Sequence, residues 1–181
     1  MSETAASPVA DASSSFEDSL PTSSVEMMRM LDELGISYTL HTHPPLRTVE
    51  DSQALRGDIE GAHIKNLYLR DGKKKNYLVV AEESRPVDLK DLGQTIGGGR
   101  LSFGSAARLM EFLGVRPGAV SPLTLVNDKG RHVKLVYDGN LDLSEMINVH
   151  PLVNDKTLTL TRSGLLQFLE HTGHWAERVV I

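Results

Sequence analysis

Cysteine is absent from all 181 residues. That excludes disulfides, thiolate metal sites and cysteine nucleophiles, and it fits a reducing compartment. No apolar run approaches the ~20 residues that cross a bilayer, so no membrane partner is expected. The N-terminus lacks the basic-then-apolar layout of a secretion signal and lacks the arginine of a transit peptide, which points to a cytoplasmic protein. Basic residues are missing from residues 1–23, which hold Glu3, Asp11, Glu17 and Asp18 and account for most of the net charge of −5. The remainder, 24–181, is near neutral, so a local basic face and a nucleic-acid partner stay open. Hydrophobic content of 40% and charged content of 24% are ordinary for one soluble globular domain.

Residues 1–23, rich in Ser, Ala and Pro, bury too little apolar surface to offset ordering entropy and are expected to form a disordered acidic tail, with the domain over 24–181. Ser24 reads as the cap of a helix carrying Val25, Met28, Leu31 and Leu34 on one face and stopped by Gly35. Residues 36–41 form a short strand, and His43-Pro44-Pro45 is an extended break. Thr48 with Asp51 opens a short helix that ends near Gly57. Apolar strands at 67–70 and 76–81 flank the turn Asp71-Gly72, with Lys73, Lys74 and Lys75 following it. Asp88 caps a helix to Thr95, and Ser105 caps another whose Ala106, Leu109, Met110 and Leu113 share a face up to Gly114. Segments 123–126 and 132–137 around Asn127–Gly130 predict a hairpin. A helical turn at 141–146, strands at 147–150 and 157–161, and a last helix capped by Ser163 complete the chain. The interspersed pattern predicts an α+β fold: a single compact domain with a mixed β-sheet flanked by helices.

Seven histidines include the pairs His41/His43 and His171/His174, but none has a zinc-helix spacing. No metal and no cofactor are expected. Phe103-Gly104-Ser105-Ala106-Ala107 lacks the second glycine of a nucleophile elbow, and a helix cap accounts for Ser105 better. Gly97-Gly98-Gly99-Arg100 reads either as an anion cradle or as a flexible connector. His63-Ile64-Lys65-Asn66-Leu67 places a lysine beside an apolar strand, where it either holds a charge over a site or covers apolar surface with its stem. Gly114-Val115-Arg116-Pro117-Gly118-Ala119-Val120-Ser121-Pro122 has two glycines and two prolines in nine residues, which define a shaped loop after a helix.

Taken together, Gly61 to Leu67, Arg100 to Phe103, Gly114 to Pro122, Val126-Asn127-Asp128 and Asn148-Val149-His150-Pro151 resemble the free-standing aminoacyl-tRNA deacylases related to the editing domain of bacterial prolyl-tRNA synthetase, the YbaK/ProX-like family. The resemblance spans roughly residues 25–170, and its closest branch clears alanine from proline tRNA. It implies a trans-editing hydrolase that cleaves the ester of alanyl-tRNA of the proline acceptor, with proline excluded by size, as a second sieve for a synthetase pocket that rejects a smaller side chain by only ~1–3 kcal/mol. An activated ester needs little beyond orientation and oxyanion stabilisation.

The implied catalytic set is Lys65, Asn66 and Gly118, with Ile64, Ala119, Val120, Ser121, Pro122 and His150 around the substrate. Arg100, Lys73, Lys74 and Lys75 would contact the tRNA. The partner is the acceptor stem of proline tRNA carrying alanine, with prolyl-tRNA synthetase or an elongation factor met in passing. Competing readings are a deacylase for another mischarged tRNA such as the cysteinyl form, an inactive tRNA-binding module of the same fold, and a nucleotide binder built on the triple glycine.

Overall fold

The computed structural model describes residues 10–46, 48–56 and 59–181. Eight strands form one mixed sheet: β1 (Tyr38–Thr42), β2 (Ala62–Asp71), β3 (Asn76–Glu82), β4 (Leu101–Phe103), β5 (Val133–Asp138), β6 (Met146–Val149), β7 (Lys156–Thr161) and β8 (Glu177–Val179). Their order is β1-β7-β6-β2-β3-β5-β8, with β4 on the far half of β2. The helices are α1 (Ser24–Glu33), α2 (Val49–Arg56), α3 (Leu89–Ile96), α4 (Ala106–Leu113) and α5 (Arg162–Thr172).

Strand β2 joins the two halves of the sheet. It pairs antiparallel with β3 along its length, while its other edge is shared. Ala62 and His63 pair parallel with Ile147 and Asn148 of β6, and Leu69 to Asp71 pair with β4. Side chains alternate across a strand, so Tyr68, Leu78, Val80, Leu135 and Tyr137 pack on one face with Met27, Leu31, Leu113 and Phe168. Leu69, Tyr77, Val79 and Val136 pack on the other with Leu92 and Ile96 of α3.

Local signals set the helix ends. Asp88 caps α3 through the amides of Lys90 and Asp91, and Ser105 caps α4, which stops at Gly114 in the left-handed region (φ 65°). A Cβ at Gly114 would also lie 2.6 Å from both Asn127 and Pro21. Thr48 and Asp51 exchange backbone–side-chain bonds at the start of α2. Gly57, the expected end of that helix, lies outside the described residues.

Elsewhere the structure departs from the expectations. Ser23, not Ser24, caps α1 in a reciprocal box with Glu26, so Met27 and Leu31 point inward and Val25 is exposed. The last helix is capped by Thr161. The hairpin around Asn127–Gly130 does not form: Ser121 accepts the Leu123 amide and Pro122–Asn127 is a 3-10 helix. Strand β5 instead pairs parallel with β3, and β8, not foreseen, covers its other edge.

The expected disordered tail is also corrected from residue 10 onward, because polar contacts hold that stretch where apolar ones are few. The Ala12 carbonyl accepts the Asn154 amide at 2.8 Å, and the Ser14 hydroxyl donates to Asp155. The Arg116 guanidinium donates to Phe16 and Ser19. Residues 1–9 lie outside the description.

Candidate active site

Parallel pairing of β2 with β6 ends after His63 and Asn148. Beyond that point the two strands part, and the fork opens a cleft of about 70 Å³. Ile64, Asn66, Val149 and His150 line it from the strands, Glu83 from the end of β3, and Leu46, Ser52 and Leu55 from the opposite side. The walls are therefore mixed: branched apolar side chains around a few amide, imidazole, hydroxyl and carboxylate groups.

The fork depends on a close approach just before it. Gly61 has φ 101°, and a Cβ there would meet the Met146 carbonyl at 3.1 Å and the Asn148 amide at 3.2 Å. With that room, Asn148 Nδ2 donates to the Glu60 and Ala62 carbonyls while its Oδ1 accepts from Thr159 at 2.6 Å. Because the Thr159 hydroxyl donates there, its contact with His41 Nε2 at 3.0 Å requires His41 to be the donor. Asn148 is thus fully engaged and holds the two strands at a fixed separation.

Asn66 and His150 differ from it. Asn66 Oδ1 is buried without a hydrogen-bond partner among the described residues, and native proteins seldom leave such a group unpaired. His150 Nδ1 faces the Lys156 carbonyl at 2.9 Å, so it carries the proton, and Nε2 is left as an unprotonated acceptor. Burial pushes the His150 imidazole below its ordinary range, against the Lys156 carbonyl and with help from neighbouring His43. It therefore stays neutral near pH 7. Ser121 fixes the strand end by donating to the His150 carbonyl at 2.7 Å.

The expected site residues fall into three groups. Ile64, Asn66 and His150 come together in the cleft. Lys65, one residue out of phase, is not among the lining residues, and its ammonium donates to the Arg85 carbonyl in the turn after β3. Ala119, Ser121 and Pro122 are buried and Val120 packs against the core, so this loop supports the cleft from behind. Gly118, exposed at φ 96°, lines a neighbouring groove with Ala10 to Ala12, Arg116 and Asn154; Leu46 borders both spaces.

Arg100, Lys73, Lys74 and Lys75 form the third group, all exposed at the opposite end of β2. At ~3.3 Å per residue that end is roughly 17 Å from Asn66. The triple glycine is not an anion cradle: the amides of Gly97, Gly98 and Gly99 all donate to Gln94 or Gly93 carbonyls. His41 and His43 bond Thr159 and Thr157, and His174 bonds Asp128. Glu83, Ser52 and Asn148 are lining residues that motif reading misses; Asn148 stands in the stretch before Pro151 that carries the resemblance, whereas Glu83 and Ser52 carry no local signal.

A forked mixed sheet with a small cleft of mixed lining at the fork offers a site for a small group. The chain belongs to the aminoacyl-tRNA editing domain family, whose model matches residues 43–168. It is 41% identical over 147 residues to the prolyl-tRNA editing protein ProX of Acetoanaerobium sticklandii, covering 80% of this chain and 88% of that one. It is 36% identical over 151 residues to prolyl-tRNA synthetase associated domain-containing protein 1 of Danio rerio, covering 82% of each. Among solved structures, a candidate trans-editing enzyme for prolyl-tRNA synthetase superposes with a TM-score of 0.66 at 19% identity, over 87% of this chain and 97% of that one. That match establishes the fold.

Proposed function

We propose that this aminoacyl-tRNA deacylase acts in trans on alanyl-tRNA of the proline acceptor, releasing alanine and free tRNA. The observation that carries the reading is that Asn66, whose Oδ1 has no partner among the described residues, and His150, with an unprotonated Nε2, line the same cleft of about 70 Å³. In this reading the small cleft favours a methyl side chain over a pyrrolidine ring, so that proline is turned away by size.

In the proposed reaction the aminoacyl group enters between Ile64 and Val149, and the Asn66 amide orients the ester end. His150 Nε2 accepts a hydrogen bond from the attacking water, whose oxygen bonds to the ester carbonyl carbon. The carbon–oxygen bond to the terminal ribose breaks, and the departing ribose oxygen takes up the proton that the attacking water gives up at His150 Nε2. An ester is activated enough that positioning and a neutral acceptor suffice.

Lys65 supports this from outside the cleft, holding the turn that carries Glu83 and adding positive charge for the terminal phosphates of the tRNA. Gly118, in the adjoining groove, leaves room for the tRNA end. Arg100 and Lys73 to Lys75 meet the tRNA further along its length. Prolyl-tRNA synthetase or an elongation factor would be met in passing on the same tRNA.

The test is a deacylation panel: alanyl-, cysteinyl-, seryl- and prolyl-tRNA of the proline acceptor, with alanyl-tRNA of its own acceptor. Rapid loss of the first alone is expected. Preferential loss of the cysteinyl form would reassign the substrate, and loss of none would remove the catalytic reading.

A further inference from the structure

The end of the sheet away from the cleft holds a second groove of about 370 Å³, between the turn after β2, the start of β5 and the segment before β8. Lys75, Arg131, His132, Lys134 and Trp175 line it, with Ile96 and Gly97 along one side. Trp175 is the single tryptophan of the chain, and it is 72% exposed. An apolar ring of that size held in water is costly unless something covers it.

The charge around it is one-sided. Lys73, Lys74 and Lys75 follow one another in the turn, and Lys129 and Arg131 flank Gly130 in the next. Among the described residues no carboxylate lies within ion-pair distance of any of these five. The nearby acids are engaged elsewhere. Asp71 accepts the Lys73 and Lys75 amides and the Tyr77 hydroxyl, Asp128 accepts the His132 and Val133 amides and His174, and Glu177 pairs with Lys134 at 2.6 Å. Two turns therefore carry more positive charge than the acids beside them offset, although Asp71 acts electrostatically on Lys75 and the whole chain is acidic. Lys74 and Arg131 sit at positive φ (65° and 54°), so the turns that carry these charges have a defined shape.

We propose that this groove is a second RNA-contact surface, on which a base of the substrate tRNA stacks against Trp175 while Lys73, Lys74, Lys75, Lys129 and Arg131 meet the flanking phosphates. An unpaired cationic rim beside an exposed indole is the combination that holds a nucleic-acid strand without reading its sequence: the charges follow the backbone, and the ring accepts any base face. The inference rests on tRNA being the substrate. Roughly 17 Å of β2, at ~3.3 Å per residue, separates this end from Asn66, so the contact falls on the body of the tRNA and not on its aminoacyl end.

Because Trp175 is the only tryptophan, its intrinsic fluorescence reports the groove directly. The experiment titrates the full chain with uncharged proline tRNA, reading Trp175 emission and, separately, the anisotropy of labelled tRNA. Saturable quenching is expected. Trp175→Ala should weaken tRNA binding by at least about 5-fold, the lower end of one base–aromatic stack, and Trp175→Phe should restore most of it. Lys73→Gln with Lys75→Gln should make binding less dependent on salt, lowering the slope by about one unit for each phosphate no longer neutralised. Uncharged tRNA makes the binding readout independent of ester hydrolysis, so failure of the proposed reaction would leave this test standing. An unchanged emission spectrum at saturating tRNA, or binding that Trp175→Ala leaves intact, would overturn the assignment.

Discussion

Two histidines of this chain, His174 and His150, are handled in opposite ways. His174 is buried and has both ring nitrogens engaged, Nδ1 with the Thr172 hydroxyl at 2.8 Å and Nε2 with the Asp128 carboxylate at 2.9 Å. Asp128 in turn accepts the amides of His132 and Val133 and is itself buried. His150 has one nitrogen on the Lys156 carbonyl and the other turned to a cleft beside the unpartnered Asn66 amide. The first centre is closed, with each polar group matched by another, and its work is to hold the start of β5 against the end of α5. The second is open, and an open polar centre in a folded protein is a place for a ligand.

The contrast can be broken most forcefully at the closed centre. Asp128→Ala leaves His174 and two amides unmatched in the core. It should cost about 3 kcal/mol or more of unfolding free energy in a urea titration, while folded protein keeps its deacylation rate. His150→Ala should do the reverse: a loss of about 100-fold in single-turnover deacylation, with a urea midpoint close to wild type. If His150→Ala unfolds the chain and Asp128→Ala abolishes only activity, the two centres have been assigned the wrong way round.

Lys65→Ala sharpens the comparison from outside the cleft, where the lysine ties the turn beyond β3. About 10-fold lower kcat/KM is expected, from poorer positioning of Glu83 and weaker phosphate attraction. A rate within a few-fold of wild type would remove Lys65 from the reaction.

The pH dependences also diverge. The Asp128 carboxyl is held below the ordinary carboxylate range by hydrogen bonds from His174, Val133 and His132 that outweigh its burial. Its stabilisation is therefore fully present above the unfolded value of about 3.9 and is lost as pH falls through the lower native value. Asp128→Asn should flatten the stability curve in that acid window. His150, lowered by burial, keeps its acceptor nitrogen to a lower pH than a free imidazole does. Deacylation should stay level as pH falls through about 6.5 and decline only below it. A midpoint at or above that value would show that His150 is not the titrating acceptor.

The smallest effect lies in the N-terminal strap. Asp155→Ala removes the acceptor of the Ser14 amide and hydroxyl and should cost about 1 kcal/mol in the same urea titration. An unchanged midpoint would mean that the strap adds nothing to stability.

Signals carried by one or two neighbouring residues were legible in the sequence: Asp88 and Ser105 as caps, Gly114 as a helix stop, and Thr48 with Asp51. Non-local pairing was not. Asn127–Gly130 looks like a hairpin turn, yet β5 finds its partner in β3, far earlier in the chain, with Asn76 beside Val133, and no local pattern announces that choice. The strap was illegible for a related reason, because its partners Arg116, Asn154 and Asp155 are polar and distant in sequence. In the site, strand alternation held information that motif reading passed over. Once Ile64 and Asn66 line a cleft, period two turns Lys65 away from it. The fork itself depends on where two parallel strands stop pairing, which Gly61 permits but does not reveal.

The central claim, that the open centre performs the hydrolysis, is tested most directly by single-turnover release of alanine from alanyl-tRNA of the proline acceptor, comparing wild type with Asn66→Ala. A fall of about 100-fold or more with an unchanged melting temperature is the predicted result, in keeping with removal of one positioned hydrogen-bonding group from a hydrolytic site. Equal rates for the two proteins would contradict it.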